Sequence, residues 1–261
     1  MTDKLSIVTG ASSGIGAAYA DRLASRGSDL LLIARRADRL DAVAARARAA
    51  HGVAVETLVA DLEKPDGVRA VEGRIAAGPI SMLVNCAGAG GLGPTARTGV
   101  EVQTATIALN ITALVRLSLA ALAGFREAGA GSLVNIASVV AFSPSPGGAS
   151  YSGSKAFVLN FTRALQMEHQ GSDLRIQAVL PGPVRTEFFS AQGMDDSVFP
   201  DSAYIGAEEL VDVALAALDN GESVTIPTLK DLAIWAAMED ERGRFLRDVI
   251  GGEIAARYLQ E

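Results

Sequence analysis

The sequence predicts a single doubly wound α/β domain spanning residues 1–261, with a mostly parallel sheet and helices on both of its faces. Short apolar runs alternate with Ala-, Leu- and Arg-rich segments of helical period. The apolar runs are nearly unbroken Val, Ile and Leu, which is typical of parallel strands covered on both sides. A length of 261 residues lies within the range of one α/β domain.

The alternation predicts each element in order up to about residue 182. Strands are predicted at "KLSIVTG", "DLLLIA", "VAVETLVADL", "SMLVNCAG", "GSLVNIAS" and "LRIQAVLPG". Helices are predicted at "GAAYADRLASRG", "ADRLDAVAARARAA", "GVRAVEGRIAA", residues 101–127 and residues 150–169.

The pattern loosens after Pro183, before a helix at about 207–219, a strand at "SVTIPT" and C-terminal helices. A long polar and aromatic segment within a compact domain is often functional, so we predict a substrate-binding lid region at about 187–220. Four apolar residues are candidates for the lid: Phe188, Phe189, Met194 and Phe199. Plain packing is the alternative for these side chains.

Composition disfavours several classes of partner. A net charge of -7 argues against nucleic acid and anionic lipid surfaces. The apolar runs are short and interrupted, which disfavours a membrane span. Two histidines, His51 and His169, lack metal-ligand spacing, so no metal is expected.

The single cysteine, Cys86, cannot form an internal disulfide, and "MTDKL" leads into the first strand without a signal-peptide pattern. We therefore expect a cytoplasmic protein in which Cys86 is a packed strand residue.

The first strand ends in the glycine-rich stretch "TGASSGIG", from Thr9 to Gly16. Glycines at Gly10, Gly14 and Gly16 allow a sharp turn and a close approach of the backbone to a diphosphate. The N-terminus of the following helix adds free N–H groups and the positive end of its dipole. This position in a βαβ unit predicts a dinucleotide phosphate site, although a tight connection alone is the alternative.

Two arginines, Arg35 and Arg36, follow the second strand, where an NAD-binding protein would have a carboxylate for the ribose 2'-hydroxyl. Guanidinium groups bind phosphate in bidentate fashion and stack on adenine, so the predicted cofactor is NADP(H). The alternative is that both arginines form the solvated start of the next helix.

The stretch "YSGSK" places Tyr151 and Lys155 four residues apart in a predicted helix, and therefore on one face. Such a pair occurs by chance in many helices. Together with the glycine turn, however, it indicates a proton donor beside a dinucleotide site.

These motifs together resemble the short-chain dehydrogenase/reductase family, over nearly the whole chain up to about Thr186. The family joins a T-G-x-x-x-G-x-G turn to Y-x-x-x-K, with a Ser about thirteen residues before the Tyr and an Asn on the preceding helix. The resemblance implies a Rossmann fold and four catalytic residues: Asn110, Ser138, Tyr151 and Lys155.

Within that resemblance, Tyr151 is the general acid for carbonyl reduction and the base for alcohol oxidation, and Lys155 lowers the phenol pKa. Ser138 donates a hydrogen bond to the substrate oxygen, unless it is an ordinary strand-end serine. Asn110 holds a water by its backbone in a proton relay to Lys155, unless it is an ordinary helix-interior asparagine.

The resemblance also implies cofactor contacts along the chain. Asp61 and Leu62 fall at the adenine, and "PGPVRT", from Pro181 to Thr186, lies on the nicotinamide side. The predicted cofactor-binding residues are Gly10, Ser12, Ser13, Gly14, Ile15, Gly16, Arg35, Arg36, Asp61, Leu62, Asn85, Ala87, Gly88, Tyr151, Lys155, Pro181, Gly182, Val184 and Thr186.

Three features depart from the family pattern. "NCAG" has Cys86 in place of the second Asn of N-N-A-G, and Ser13 stands where some NADP-using relatives carry a basic residue. The C-terminal region lacks the G-Q-x-x-x-x-D-G-G pattern of tetrameric members. Phosphate recognition is therefore expected to depend on Arg35 and Arg36.

The predicted function is an NADP(H)-dependent oxidoreductase that interconverts an alcohol with a ketone or aldehyde, acting on a small molecule. One alternative is a non-catalytic NADP(H)-binding redox sensor, against which the intact Ser, Tyr and Lys count. An epimerase or dehydratase for nucleotide sugars is disfavoured by the short C-terminal region. The apolar helices at 101–127 and 150–169 suggest a homodimer or homotetramer.

Overall fold

The computed structural model describes residues 5–94, 96–195 and 198–259. They fall into two compact units, one ending at Pro227 and one beginning at Thr228. The strands of the first unit are β1 (Leu5–Thr9), β2 (Asp29–Ala34), β3 (Val55–Val59), β4 (Met82–Asn85), β5 (Gly131–Ile136), β6 (Leu174–Val179), β7 (Val184–Arg185), β8 (Ile205–Gly206) and β9 (Val224–Thr225). Its helices are α1 (Gly14–Ser25), α2 (Ala37–His51), α3 (Pro65–Ala76), α4 (Val100–Ile107), α5 (Leu114–Ala128), α6 (Ala149–Glu168) and α7 (Ala207–Asp219).

Seven strands form one sheet in the order β3-β2-β1-β4-β5-β6-β9, and every pairing in it is parallel. The chain winds outward from β1 to β3, then returns to the centre and winds outward from β4 to β9. The predicted α/β fold class is confirmed. Because all seven strands run in one direction, their carboxyl ends share one edge, and β1 and β4 meet at the point where the winding reverses.

Helices cover both faces of this sheet. One apolar cluster joins α1, α2 and α7 to strand residues such as Val8 and Leu32. A second cluster joins α3, α5 and α6 to their strand neighbours Ile7 and Leu31. Successive strand residues thus face opposite clusters and are buried in both, which explains the unbroken apolar runs.

The predicted helix at 101–127 is continuous from Val100 to Ala128 but contains a six-residue π-helical segment, Ala108–Ala113. By length and composition alone, this stretch is apolar enough to cross a membrane. Core helices meet the same criterion, and Leu117, Leu122 and Phe125 of α5 are buried in the second apolar cluster.

The segment after β6 is less regular. The two-residue strands β7 and β8 pair in parallel with each other, separated by short turns at Ser190–Gln192 and Asp201–Ala203. Helix α7, which the predicted lid region includes, packs in the first apolar cluster through Leu210, Val211 and Leu215. Residues 187–195 and 198–206 are therefore the described parts of the predicted lid that lie outside the core helices.

Among residues 228–259, the described part of the second unit, there is one α-helix, α8 (Leu232–Ile250), and a short turn at Ala256–Tyr258. Asp231 caps α8 by accepting a hydrogen bond from the N–H of Ala233, at 2.9 Å. No side chain of α8 is buried. That residues 1–261 form one domain stays a prediction.

Candidate active site

The glycine turn lies between β1 and α1, at the carboxyl edge of the sheet. Gly10 has φ of +69° and Gly14 has φ of +53°. A Cβ on Gly10 would lie 2.9 Å from the Ala87 backbone, and one on Gly14 would lie 2.9 Å from Thr186 Cγ2. Only glycine combines this backbone conformation with so close an approach. The turn therefore holds the N-terminus of α1 against the ends of two neighbouring segments.

The loop after β4 is held against the same turn. Thr9 Oγ1 accepts hydrogen bonds from the N–H groups of Cys86 and Ala87, both at 3.0 Å. The side chain of Asn85 is taken up elsewhere, because its amide donates to Ser118 Oγ at 3.0 Å and to Asn135 Oδ1 at 2.9 Å in a buried network. The Asn85 Nδ2 is therefore occupied in this network and is not available to a cofactor.

Arg36 lies across the glycine turn. Its Nη2 donates to Ser12 Oγ at 3.1 Å and to Ser13 Oγ at 2.8 Å. The guanidinium thus supplies, from the start of α2, the positive charge that position 13 lacks in the sequence. This is a compact patch of donors beside the N-terminus of α1, suited to phosphate.

Arg35 points to a different partner, donating from Nη1 to Glu63 Oε1 at 2.7 Å. Glu63 follows Asp61, whose carboxylate accepts from the Glu63 N–H at 3.0 Å. Leu62 is buried in the second apolar cluster, so its side chain has a packing role. The two arginines are therefore brought to the same corner of the sheet but held by different neighbours.

Two charged residues at this corner were not predicted from the sequence. Glu187 accepts hydrogen bonds from Arg36 Nη1 at 3.1 Å and from Arg39 Nη1 at 2.7 and 2.6 Å. Arg39 first, and Arg36 next, hold the pKa of the Glu187 carboxyl below its usual value. The spacing of three residues from Arg36 to Arg39 is a helical signal that was available. No local signal links either arginine to Glu187.

Ser138 and Tyr151 meet beyond the end of β5. Ser138 precedes a short turn at Val139–Phe142, and its Oγ donates to the Pro181 carbonyl at 3.3 Å. Tyr151 lies in the first turn of α6. Burial raises the pKa of Tyr151 to about 12, and the side-chain hydrogen bond with Ser138 acts in the opposite direction. The phenol is therefore protonated at neutral pH.

Lys155 lies one helical turn after Tyr151, with its Nζ 5.8 Å from the centre of the Tyr151 ring. Nζ donates to the Ile136 carbonyl at 2.8 Å. Burial lowers the pKa of Lys155 to about 8, with Cys86 acting in the opposite direction. Loss of hydration dominates the pKa of both groups, so the expected lowering of the phenol pKa by Lys155 stays a prediction.

Asn110 lies in the π-helical segment and is hydrogen-bonded through its whole amide. Its Oδ1 accepts from the Ala89 N–H, and its Nδ2 donates to the Ala89 carbonyl and to Ser154 Oγ, all at 2.9 Å. A Cβ on Gly88 would lie 3.4 Å from Asn110 Oδ1 and 3.7 Å from Lys155 Nζ. The structure thus brings Asn110 and Lys155 to the same loop. Ser154 is a further neighbour that the sequence motifs do not include.

The loop from Pro181 to Thr186 closes another side of the site. The Pro181 carbonyl also accepts from the Val139 N–H at 3.0 Å, which joins this loop to the Ser138 turn. Val184 is buried in the first apolar cluster. Thr186 contacts Gly14, so the loop runs from Ser138 to the glycine turn.

An aromatic group follows Thr186. The Phe188 ring lies 5.4 Å from the Tyr151 ring, centre to centre, and 5.3 Å from the Phe189 ring. Phe189 in turn contacts Phe199 and Tyr204, at 6.0 and 6.4 Å. The chain thus places an apolar wall directly beside the predicted proton donor.

Cys86 and His169 have no place in the proposed proton transfer. Burial raises the pKa of the Cys86 thiol to about 12, so the thiol is neutral near pH 7. His169 directly follows the last residue of α6, Glu168, close to the predicted helix end. Across the described ranges, no cluster of three or more His, Cys, Asp or Glu side chains has the arrangement of a metal site.

Comparison with known proteins shows which family this chain belongs to. Residues 4–196 match the family model for short chain dehydrogenase. A short-chain dehydrogenase from Sphingobium yanoikuyae, solved in complex with NADPH, is 43% identical, with a TM-score of 0.94 over 98% of this chain and 100% of that one. The bulky-bulky ketone specific alcohol dehydrogenase from Comamonas testosteroni is 35% identical, with a TM-score of 0.90 over 100% of both chains.

Among curated relatives, sulfoacetaldehyde reductase 2 of Chromohalobacter salexigens is 35% identical over 79% of this chain and 85% of its own length. Some other relatives are longer, and the match spans only 59–60% of their length. The family match, the fold and these relatives show that the chain belongs to the short-chain dehydrogenase/reductase family of oxidoreductases.

Proposed function

We propose that this protein is an NADP(H)-dependent oxidoreductase that interconverts a ketone or aldehyde with its alcohol, with Tyr151 as the general acid and base. The observation that carries the proposal is the meeting of Ser138, Tyr151 and Lys155 at the carboxyl edge of the sheet, with the glycine turn at the same edge. A proton donor beside a dinucleotide site is what carbonyl reduction requires.

The residues at this edge fit a phosphorylated dinucleotide. The turn from Gly10 to Gly16 offers backbone N–H groups for the diphosphate, in a cradle that a Cβ would fill. Arg36, Ser12 and Ser13 form a donor patch for the 2'-phosphate, with Arg35 close in sequence. Asp61 and the loop from Ala87 to Gly88 are proposed for the adenosine, and Pro181 to Thr186 for the nicotinamide end. When bound, NADP(H) supplies or accepts the hydride.

The chain's own part of the reaction is to move a proton. Because the phenol of Tyr151 is protonated at neutral pH, it is ready to donate to a carbonyl oxygen in the direction of reduction. The Ser138 hydroxyl, whose interaction with the phenol lowers the Tyr151 pKa, is proposed to bind the same substrate oxygen. Lys155 is cationic below pH about 8 and would stabilise the phenolate left after transfer.

A ketone with apolar substituents is the proposed substrate class. Phe188 contacts Tyr151, and the aromatic wall continues from it through Phe189 to Phe199. A surface of this kind gains free energy from burying apolar groups and has little to pair with a charged substrate. The similarity over the full length to a dehydrogenase specific for bulky ketones supports the same class.

Two measurements, made one after the other, test the proposal. Calorimetric titration with NADPH and NADH is expected to give tighter binding of NADPH, and a panel of ketones and aldehydes followed at the nicotinamide absorbance is expected to give turnover, fastest for apolar ketones. Tight binding without turnover across the panel would favour the redox-sensor alternative. Failure to bind either nucleotide would refute both.

A further inference from the structure

The Glu187 carboxylate pairs with two arginines, of which Arg36 also contacts the glycine turn. Its carboxylate binds Arg36 Nη1 and, through both oxygens, Arg39 Nη1. Arg36 meanwhile keeps its other amino group on Ser12 and Ser13. The carboxylate is therefore bound by the guanidinium that is best placed for a phosphate at this corner.

The ion pairs of Glu187 with Arg36 and Arg39 are exposed to solvent, so another anion can replace the carboxylate. The side chains of Glu187, Arg36 and Arg39 are 51%, 43% and 45% exposed. Exposed pairs contribute little because water and salt screen them. A phosphate monoester carries nearly two negative charges and three acceptor oxygens, against one charge and two oxygens for a carboxylate. A phosphate group is therefore expected to bind Arg36 and Arg39 more strongly than the Glu187 carboxylate does.

Along the chain, Glu187 lies between two residues that contact the proposed active site. The residue before it, Thr186, packs against Gly14 of the glycine turn. The residue after it, Phe188, packs against Tyr151. Further along, Gln192 Oε1 accepts from the Leu92 N–H at 3.1 Å, which ties the segment to the loop after β4. Release of Glu187 would therefore loosen one end of the segment that carries Phe188.

We propose that Glu187 lowers the affinity for NADPH relative to NADH, because its carboxylate competes with the 2'-phosphate for Arg36 and Arg39. This inference rests on the proposed NADP(H) function. NADPH displaces the carboxylate, whereas NADH, which lacks the 2'-phosphate, leaves it in place. Arg39 thereby joins the 2'-phosphate subsite, and the Glu187 end of the segment from Glu187 to Gln192 is loosened only by the phosphorylated cofactor.

The first test compares dissociation constants for NADPH and NADH, measured by calorimetry on the intact chain. Glu187→Gln removes the competing charge and is expected to tighten NADPH binding about threefold to tenfold, the range that exposed ion pairs support, with NADH nearly unchanged. The matched control is Asp201→Asn, which removes one negative charge from an exposed pair with Arg185 and leaves Arg36 and Arg39 untouched.

The second test is hydrogen exchange of the backbone in residues 187–193, which does not depend on turnover. Adenosine 2',5'-bisphosphate is expected to raise exchange there in the unmodified protein, and adenosine 5'-diphosphate to leave it unchanged. Glu187→Gln should show the raised exchange without any nucleotide.

The outcomes separate the two proposals. If the unmodified protein binds neither NADPH nor NADH, the proposed function is wrong and this inference falls with it. If NADPH binds but Glu187→Gln binds it no more tightly than Asp201→Asn does, the inference alone is overturned. Equal effects of the two adenosine nucleotides on exchange would overturn it as well.

Discussion

At the scale of single residues, the site is governed by what burial does to Tyr151 and Lys155. Loss of hydration disfavours the charged form of each, so the phenol pKa rises to about 12 and the ammonium pKa falls to about 8. The phenol is consequently a reliable proton donor near neutrality. The lysine, however, is charged only up to mildly alkaline pH.

Replacing Tyr151 with Phe tests the proton donor directly. The ring and its contact with Phe188 are kept, but the hydroxyl is lost, so kcat for ketone reduction should fall by about 10²–10⁴-fold, the usual contribution of general acid catalysis. The NADPH dissociation constant should change little. Tyr258→Phe, at an exposed tyrosine, is the control for the substitution itself. Retained turnover in Tyr151→Phe would exclude Tyr151 as the acid.

The pH dependence distinguishes the two titrating groups. As the pH rises through about 8, Lys155 loses its charge while Tyr151, with a pKa of about 12, keeps its proton. We expect kcat/KM for reduction, measured at saturating NADPH, to be flat below pH 8 and to fall by about tenfold per pH unit above it. A profile that stays flat to pH 10 would show that the lysine charge is not required.

At the scale of elements, regular structure with strong periodicity was predictable, and irregular structure was not. The seven strands of the main sheet and the helices between them follow from their apolar runs. The two-residue strands β7 and β8 have no apolar run of their own, unlike the equally short β9 in "SVTIPT". The π-helical segment around Asn110 has the same apolar pattern as the α-helix on either side of it, so its position was not encoded in any periodicity.

The same division holds for the site. The glycine turn, Ser138, Tyr151 and Lys155 are local motifs, and the structure brings them together at the carboxyl edge of the sheet. The pairing of Glu187 with Arg36 joins residues 151 positions apart, so only the folded chain shows it. The buried network that takes up the Asn85 amide is likewise formed by side chains from different elements.

The turn from β2 into α2 gives the next prediction, because its two arginines have different neighbours. Arg36→Ala removes the guanidinium beside Ser12 and Ser13, and should weaken NADPH binding by about tenfold to hundredfold, as expected for lost charge-assisted hydrogen bonds, with little effect on NADH. Arg35→Ala, which frees Glu63, should have a similar selectivity with a smaller effect. Equal losses for NADPH and NADH, measured by calorimetry, would remove this account of cofactor choice.

At the scale of the whole first unit, the parallel sheet explains why distant motifs form one site. Residues 10 and 138 are far apart in sequence, but each follows the carboxyl end of a strand in the same sheet. β1 and β4 are neighbours where the winding reverses, which opens a crevice at that edge. The arrangement is a property of the topology, so it was predictable once the strands were known to be parallel.

The outer faces of α5 and α6 lead to the prediction that the protein self-associates. Leu119 of α5 is 53% exposed, and on α6 Met167 is 76% and Phe157 39% exposed, with Phe157 stacked on Phe161 at 5.8 Å. Large apolar side chains that are exposed on both helices favour an interface with another subunit. We therefore expect sedimentation to give a mass of at least twice the chain mass of 26.9 kDa.

A charge placed on this surface tests which helices form the interface. Phe157→Glu should shift the sedimenting species toward the monomer, because a carboxylate without a partner is costly to bury between subunits. Val59→Glu is the matched control, since Val59 is 55% exposed on the strand at the opposite end of the sheet from α6 and should leave the mass unchanged. A monomeric unmodified protein would contradict self-association itself. An oligomer that withstands Phe157→Glu would place the interface on another surface and leave α6 free.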